Sequence, residues 1–262
     1  MLVLGFDTAT PAVSVALHDG ERVVSEAWAI DARRHSELLT PMIAKVMADA
    51  GASRGDLTGI AVGVGPGPYT GLRVGVVTAR VLGSVLGVPV HGVCSLDVIA
   101  VAARGGLGPP PQAARPAGAS PRAMPSRGGL GGLSGSSPRA GTAPAGQEFL
   151  VATDARRQEV YWARYDAAGR RADGPHVGRA SSIEEAAELA AAGAGAQLYP
   201  EAFGEAIGPA YPDARVLCAI VAGRPHGAAQ PGACPALLAA EPLYLRRPDA
   251  REPGPPKPVT RS

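Results

Sequence analysis

Apolar residues at the start of the chain form three runs of strand length. They cover residues 2–8, 13–17 and 22–30, with polar or turn-forming residues between them. Asp19-Gly20, between the second and third runs, is a strong signal for a two-residue hairpin turn. The pattern predicts an antiparallel meander of three strands.

The turn between the first two predicted strands is rich in carboxylate and hydroxyl groups. It reads Asp7-Thr8-Ala9-Thr10-Pro11. Such side chains can bind phosphate or the water around a metal ion, but they also hydrogen-bond their own backbone in ordinary Asx and Thr turns. The residues alone leave both interpretations open and favour the structural turn.

A helix is predicted over residues 36–50, which carry a wide apolar stripe of helical period and precede Gly51, a suitable C-terminal cap. Pro41 leaves its start open. Ser36 as N-cap puts the proline inside the helix, whereas Thr40 as N-cap makes it the first helical residue.

The most unusual stretch begins at a buried strand predicted over residues 60–64, which Gly65-Pro66-Gly67-Pro68 ends. A helix is predicted to follow over 70–87, with Thr70 as N-cap. Because residues four apart share a helix face and an interior glycine costs about 1 kcal/mol relative to alanine, its stripe of small residues requires close approach by another backbone. We interpret the stripe as a groove for a second helix, with residues 36–50 of this chain or of a partner as the candidate. The stripe consists of Gly71, Gly75, Ala79, Gly83 and Gly87.

A strand over 88–93 and a helix over 94–102 complete a predicted N-terminal lobe, residues 1–103. Residues 104–147 differ in kind, since glycine, proline, alanine and serine dominate and no aspartate or glutamate occurs. Such a segment buries too little apolar surface to offset its ordering entropy. We interpret it as a disordered insertion, and a tolerated loop expansion is favoured over an RNA contact.

The C-terminal lobe is predicted over residues 148–246. It opens with a strand, an aspartate-centred turn and a strand, and Asp154 ends its first strand as Asp7 does in the N-terminal lobe. This faint repeat suggests duplication. Weaker patterns predict a helix over 182–192, a strand over 214–217, a helix within 233–240 and a disordered tail over 247–262.

Composition narrows the function classes. The 262 residues carry a formal net charge of +2, which does not indicate the concentrated basic face of a nucleic-acid-binding protein. No apolar run approaches the ~18 residues of a membrane span, and no signal peptide is expected. The three cysteines are too few and too scattered for a disulfide framework or a zinc site, so we expect a cytoplasmic protein.

Several segments together resemble one family. With them in this order, the chain resembles the TsaB (YeaZ) family, bacterial subunits of tRNA threonylcarbamoyladenosine biosynthesis. The segments are Phe6-Asp7-Thr8-Ala9-Thr10 with Ser14-Val15-Ala16-Leu17, His35-Ser36-Glu37, Gly65-Pro66-Gly67-Pro68-Tyr69-Thr70-Gly71-Leu72-Arg73, Asp154-Ala155-Arg156 with Glu159-Val160-Tyr161-Trp162, and Pro242-Leu243-Tyr244-Leu245-Arg246.

The resemblance implies the duplicated actin/Hsp70-like (ASKHA) fold, with two α/β lobes that each hold a mixed β-sheet and helices. It implies a non-catalytic subunit, without metal or cofactor, that pairs with a TsaD-like catalytic paralogue and works with a TsaE-like ATPase. It would contact tRNA only through the complex. Whether the chain forms a homodimer in the absence of its partners is left open. Pairing in the family runs through N-lobe helices, so the implied partner interface is Leu39, Met42, Ile43, Val46, Gly71, Gly75, Ala79 and Gly83.

The alternative is an active metal- or ATP-dependent enzyme of the same superfamily. TsaD-like proteins carry His-x-x-x-His on the helix after the strand at 88–93, where this chain has Ser95 and Ile99. Neither residue supplies the imidazole that a metal needs. Residual nucleotide contact stays open, but the second lobe lacks a glycine-containing phosphate turn, so ATP hydrolysis is not expected. The candidate contacts are Asp7, Thr8, Thr10, Gly67 and Thr70.

Overall fold

The structure is a computed structural model that describes residues 1–105, 142–223 and 235–246. The first half contains β1 Val3–Asp7, β2 Ala12–His18, β3 Val23–Ile30, α1 His35–Asp49, β4 Gly59–Gly63, α2 Tyr69–Leu86, β5 Val90–Val93 and α3 Ser95–Gly105. The second half contains β6 Phe149–Asp154, β7 Glu159–Tyr165, β8 Arg171–Arg179, β9 Ala191–Ala192, α4 Ala194–Leu198, β10 Ala206–Ile207 and α5 Ala214–Val221. Short 3₁₀ turns lie at Arg54–Asp56, Ala180–Ser182 and Ala186–Glu188.

The two halves repeat one topology. The first sheet has the order β3-β2-β1-β4-β5 and the second has the order β8-β7-β6-β9-β10. In each sheet the first three strands form an antiparallel meander and the last two run parallel to its inner strand. The opening hairpins also match, because Asp7 and Asp154 each accept the backbone N–H two residues on at 2.7 Å. The predicted duplicated α/β fold of two lobes is confirmed.

The helices lock the two lobes together. Helices α1 and α2 cover one face of the first sheet, and α5, from the second half of the chain, covers its other face. In the same way α3, from the first half, packs against β6 and β7 of the second sheet. Each lobe therefore buries apolar surface of the other.

Boundaries in the first half differ slightly from the predicted ones. Helix α1 begins at His35, so Pro41 lies inside it and the earlier of the two predicted starts is the better one. Helix α2 begins at Tyr69 after an N-cap at Pro68, so the prediction of Thr70 as N-cap is wrong. Gly87 ends α2 in the left-handed conformation at φ 68°, which glycine adopts without strain.

Two predictions for the second half are wrong, and a third fails over the residues that the structure describes. The alanine-rich stretch 182–192 forms 3₁₀ turns and β9, with Glu185 at a φ of 58° that breaks any helix. Residues 214–217 belong to α5, whose N-cap Asp213 accepts the N–H of Arg215 at 2.8 Å. Of the predicted helix within 233–240, the described residues 235–240 are not helical and Leu238 pairs with Gly92.

The predicted disordered segments fall largely outside the described residues, namely 106–141 of the insertion and 247–262 of the tail. Their flanks show that the insertion boundaries were too wide. Arg104 and Gly105 end α3, and the Arg104 guanidinium donates to the carbonyls of Pro144 and Gln147. Ala143 is buried and donates its N–H to Ala103 at 2.9 Å. Within the described residues no helix is long and apolar enough to cross a membrane.

Candidate functional site

The small-residue stripe of α2 faces the chain's own first lobe. A Cβ built on Gly75 would lie 2.5 Å from the Thr8 hydroxyl, and one on Gly71 would overlap the Thr8 carbonyl. A Cβ on Gly83 would overlap the side chain of Val90 in β5. The close approach that the glycines permit is therefore made by the β1–β2 turn and a strand. The prediction of an open groove for a second helix is wrong.

The residues of the predicted partner interface lie mostly inside this chain, and their contact with a partner stays a prediction. They are packed there because α1 and α2 turn their most apolar or smallest faces to the sheet. Seven are buried, and Ile43 is partly buried against the same core. The seven are Leu39, Met42, Val46, Gly71, Gly75, Ala79 and Gly83.

The outer face of α2 carries a second apolar stripe, which we call the valine stripe: Val77, Val81 and Val85. These side chains are 52%, 55% and 77% exposed. They recur every fourth residue and so line one face of the helix. The sequence contains this spacing, but the glycine stripe has the same period, so periodicity alone does not show which of the two faces is exposed. Contiguous exposed apolar surface typically marks an interaction site.

Asp7 is a buried structural residue. Its carboxylate accepts the Ser95 hydroxyl at 2.6 Å and the Ala9 N–H at 2.7 Å, and it lies against Gly63, where any Cβ would overlap it. Burial raises the pKa of this carboxyl, an effect that the hydrogen bonds from Ser95 and Ala9 partly oppose. The Ser95 oxygen in turn accepts the N–H of Gly65 at 3.2 Å. Asp7 thus ties β1 to the loop after β4 and to α3.

The other predicted nucleotide contacts divide into two groups. Thr8 donates its hydroxyl to the Gly71 carbonyl at 2.8 Å. Gly67 packs against the backbone of Ala9, which occupies the space of a side chain there. The Gly-Pro loop therefore packs on the chain's own β1–β2 turn. Thr10 and Thr70 line an adjacent cavity, which Thr8 also lines.

This interlobe cavity has a volume of about 240 Å³. It lies between the β1–β2 turn, the first turns of α1 and α2, and the β6–β7 hairpin of the other lobe. Its cationic groups are Arg33 and Arg156, and His35 beside them contacts the Thr10 carbonyl at 2.7 Å. The sequence did not indicate that Arg33 and Arg156 line the same cavity, because that arrangement depends on how the two lobes pack together.

A second polar cluster joins the lobes at α3. The buried Asp97 accepts the Tyr165 hydroxyl at 2.7 Å and pairs with Arg171 at 3.6 Å. Burial raises the pKa of the neighbouring Cys94 thiol to about 12, so the nucleophilic thiolate is not formed near neutral pH. Within the described parts of the chain, no group of three or more His, Cys, Asp or Glu side chains is placed to hold a metal ion.

The sequence is similar to several known proteins. A family model described as TsaD, tRNA N6-adenosine threonylcarbamoyltransferase, matches residues 29–117. The chain is 36% identical over 262 residues to the uncharacterized protein Rv3421c of Mycobacterium tuberculosis, covering 95% of this chain and 93% of that protein. It is 29% identical over 166 residues to the tRNA threonylcarbamoyladenosine biosynthesis protein TsaB of Escherichia coli, covering 63% of this chain and 55% of that protein.

Among solved structures, YeaZ from Pseudomonas aeruginosa superposes with a TM-score of 0.62 at 26% identity, covering 93% of this chain and 99% of that chain. The match spans both lobes, whereas the TsaD model ends at residue 117. Sequence relatives and the two-lobe structure agree on one assignment. The chain is TsaB (YeaZ)-like in sequence and in fold.

Proposed function

We propose that this chain is a non-catalytic partner subunit of the complex that forms N6-threonylcarbamoyladenosine at position 37 of tRNAs reading codons that begin with A. In this proposal it supports a TsaD-like catalytic subunit, works with a TsaE-like ATPase, and meets tRNA through the complex in the cytoplasm. The observation that carries the non-catalytic role is the start of α3.

Ser95 and Ile99 stand on α3 where TsaD-like proteins carry their metal-binding histidine pair. Ser95 is fully buried and its hydroxyl is engaged with Asp7 and Gly65. Ile99 is fully buried among apolar side chains of the second lobe. Neither side chain can donate an imidazole lone pair to a metal. The arrangement supports a structural role for this segment.

The alternative of an active ATP-dependent enzyme is less well supported by the geometry. Asp7 and Thr8, the turn residues best suited to a phosphate or a hydrated metal, are both engaged in hydrogen bonds within the chain. Gly67 has its open side filled by Ala9. These residues therefore already serve the fold.

Activity with and without the partners tests the proposal. The purified chain is incubated with tRNA and threonylcarbamoyl-adenylate, alone and with its TsaD-like and TsaE-like partners, and modified adenosine is quantified after nuclease digestion. We expect modification only when the catalytic subunit is present, and more of it when this chain is added. Robust modification by this chain alone would refute the non-catalytic role.

The surface we assign to the partner is the valine stripe of α2. Three exposed valines recur on one helix face, and exposed apolar surface of this kind marks protein interaction sites. The inner stripe of the same helix is already occupied by the sheet. In the absence of the partner, we expect the valine stripe to pair two copies of this chain.

Val81→Glu tests this assignment. Because Val81 is exposed, the variant should fold normally, while a buried unpaired carboxylate at the interface should weaken binding of the TsaD-like subunit by about tenfold or more. Binding is measured by co-elution and calorimetry. Leu198→Glu, at an equally exposed apolar position on α4 in the other lobe, is the matched control. Co-elution of the Val81 variant at wild-type affinity would remove the valine stripe from the interface.

A further inference from the structure

The C-terminal segment 235–246, which we call the strap, runs from the edge of the first sheet to the second lobe. We propose that the strap is a clasp, which is fixed to the first lobe at one end and holds the β6–β7 turn through Arg246 at the other. That turn, residues 155–158, supplies Arg156 to the wall of the interlobe cavity. The clasp therefore makes the order of this wall depend on the first sheet.

The first lobe binds the strap through backbone hydrogen bonds. Leu238 and Gly92 of the edge strand β5 donate to each other's carbonyls at 2.8 and 2.9 Å. The Leu243 N–H donates to the Val64 carbonyl at 2.8 Å. A Cβ at Gly92 would lie 2.5 Å from the Ala239 carbonyl oxygen, so glycine permits this close approach. The strap thus forms a short antiparallel pairing with the first sheet.

The turn at the other end has an unusual backbone. Arg156, Arg157 and Gln158 are all left-handed, with φ of 60°, 58° and 61°. Residues other than glycine adopt this region at a conformational cost, and such residues persist only where the surrounding structure fixes them. Within the hairpin, the Ala155 N–H donates to the Glu159 carbonyl at 2.9 Å. Further contacts from outside the hairpin are therefore expected to stabilise it.

Arg246 supplies those contacts at both ends of the turn. Its guanidinium donates to the Ala155 carbonyl at 3.0 Å and forms an ion pair with the Glu159 carboxylate. These two residues flank the three left-handed ones, and the planar fork of arginine can serve two acceptors at once. The two side chains of the ion pair are 25% and 31% exposed. Salt screens such a pair, whereas the backbone pairing at the first lobe is not charged, so the clasp opens at Arg246.

Amide hydrogen exchange of the full chain tests the clasp. Exchange of the Ala155 and Glu159 amides is measured by NMR relative to that of buried β1, which shows whether each variant stays folded. We expect Arg246→Gln to speed exchange at the turn by about tenfold or more, because losing a charge-assisted hydrogen bond shifts a local opening equilibrium by that order. High salt should narrow the difference between wild type and variant.

Arg170→Gln is the matched control for the loss of an arginine. It breaks the 2.8 Å ion pair between Arg170 and Asp166 at the turn of the next hairpin in the same sheet, but it leaves the strap intact. We expect the Ala155 and Glu159 amides of this variant to exchange at the wild-type rate.

Gly92→Ala tests whether the two ends of the strap are coupled. The added methyl group lies against Ala239 and Val64 rather than the turn, so faster exchange at the turn would be transmitted through the displaced strap. Gly59→Ala, on the neighbouring strand β4, is the control because its Cβ would meet only ordinary contacts at 3.8 Å or more. We expect exchange at the turn to rise in the first variant and not in the second.

The clasp requires neither a ligand nor a partner subunit, so this test is independent of the proposed function. Wild-type exchange at the turn in Arg246→Gln would overturn the proposal, and so would an equal rise at the turn and in β1, which indicates global destabilisation. Faster exchange in Arg246→Gln but not in Gly92→Ala would also overturn it, because the turn would then not depend on the first sheet.

Discussion

At the scale of single residues, Asp7 shows how a residue type associated with catalysis can serve the fold. Its position at the end of β1 suits phosphate or metal chemistry, but the side chain points into the protein and binds Ser95, which is 88 positions away. Burying a carboxyl group costs free energy unless hydrogen bonds compensate. Here Ser95 and Ala9 supply that compensation in part, and the pKa of Asp7 stays raised.

The raised pKa of Asp7 predicts a pH dependence. The favourable contribution of this carboxyl is fully present below its unfolded pKa and is lost as the pH rises through the higher folded pKa. Asp7→Asn does not titrate. Its melting temperature relative to wild type should therefore increase as the pH rises above about 4, the ordinary pKa of an aspartate, as measured by differential scanning calorimetry.

Asp56→Asn is the control with the opposite sign. Hydrogen bonds from Ser53 lower the pKa of Asp56, so its contribution is present above the unfolded pKa and is lost as the pH falls through the folded pKa. This variant should be less stable than wild type near neutral pH and approach it in acid. A melting-temperature difference for Asp7→Asn that does not vary with pH would contradict the predicted titration.

At the scale of elements, α2 is a helix with two apolar faces. The face with Gly71, Gly75 and Gly83 lies against the β1–β2 turn and β5, and the opposite face presents the valine stripe to solvent. Both stripes repeat every four residues, so periodicity identifies the helix but does not say which face the sheet covers. Steric fit decides it, because only the glycine face admits the Thr8 backbone so closely.

Gly75→Val separates the two interpretations of that helix. Overpacking against Thr8 should lower the free energy of unfolding by about 1–3 kcal/mol, whereas the exposed control Val77→Ala should stay within about 0.5 kcal/mol of wild type. Both are measured by urea denaturation of the isolated chain. A Gly75 variant with wild-type stability that no longer binds the TsaD-like subunit would restore the groove interpretation.

Prediction from sequence succeeded where patterns were long and failed where they were short. The meander β1–β3 and helices α1 to α3 have clear periods, and they were located to within a few residues. Strands β9 and β10 have two residues each, and α5 has eight, so tertiary packing outweighs any local signal there. For the site, the sequence identified the turn at Asp7. The hydrogen bond from Ser95 to Asp7, and the cavity lined by both Arg33 and Arg156, arise only when distant segments pack together.

At the scale of the whole molecule, the lobes are interlocked, and the described chain ends at Gly105 and resumes at Thr142 in one region of this framework. Arg104 closes that region: its guanidinium donates to the carbonyls of Pro144, Gln147 and Asp166 and stacks on the ring of Phe149. The described chain on either side of 106–141 is thus joined by the folded protein itself. The connecting segment is not needed to hold those ends together.

Excision of residues 106–141, with a short Gly-Ser linker from Gly105 to Thr142, should therefore leave the fold intact. A shorter connection costs no more entropy to close than a longer one, and the contacts of Arg104 and Ala143 remain. We expect a melting temperature no lower than that of wild type and unchanged binding to the TsaD-like subunit, measured by calorimetry.

A deletion only six residues longer, 106–147, provides the control and tests where the lobe begins. It removes the buried Ala143 and the carbonyls of Pro144 and Gln147 that Arg104 binds. The boundary predicted from composition treats both deletions as equivalent, whereas the structure places those six residues in the folded framework. Since the deletion removes the buried Ala143 and two hydrogen-bond acceptors of the partly exposed Arg104, the longer deletion should unfold several degrees earlier. Equal melting temperatures for the two deletions would return residues 142–147 to the insertion.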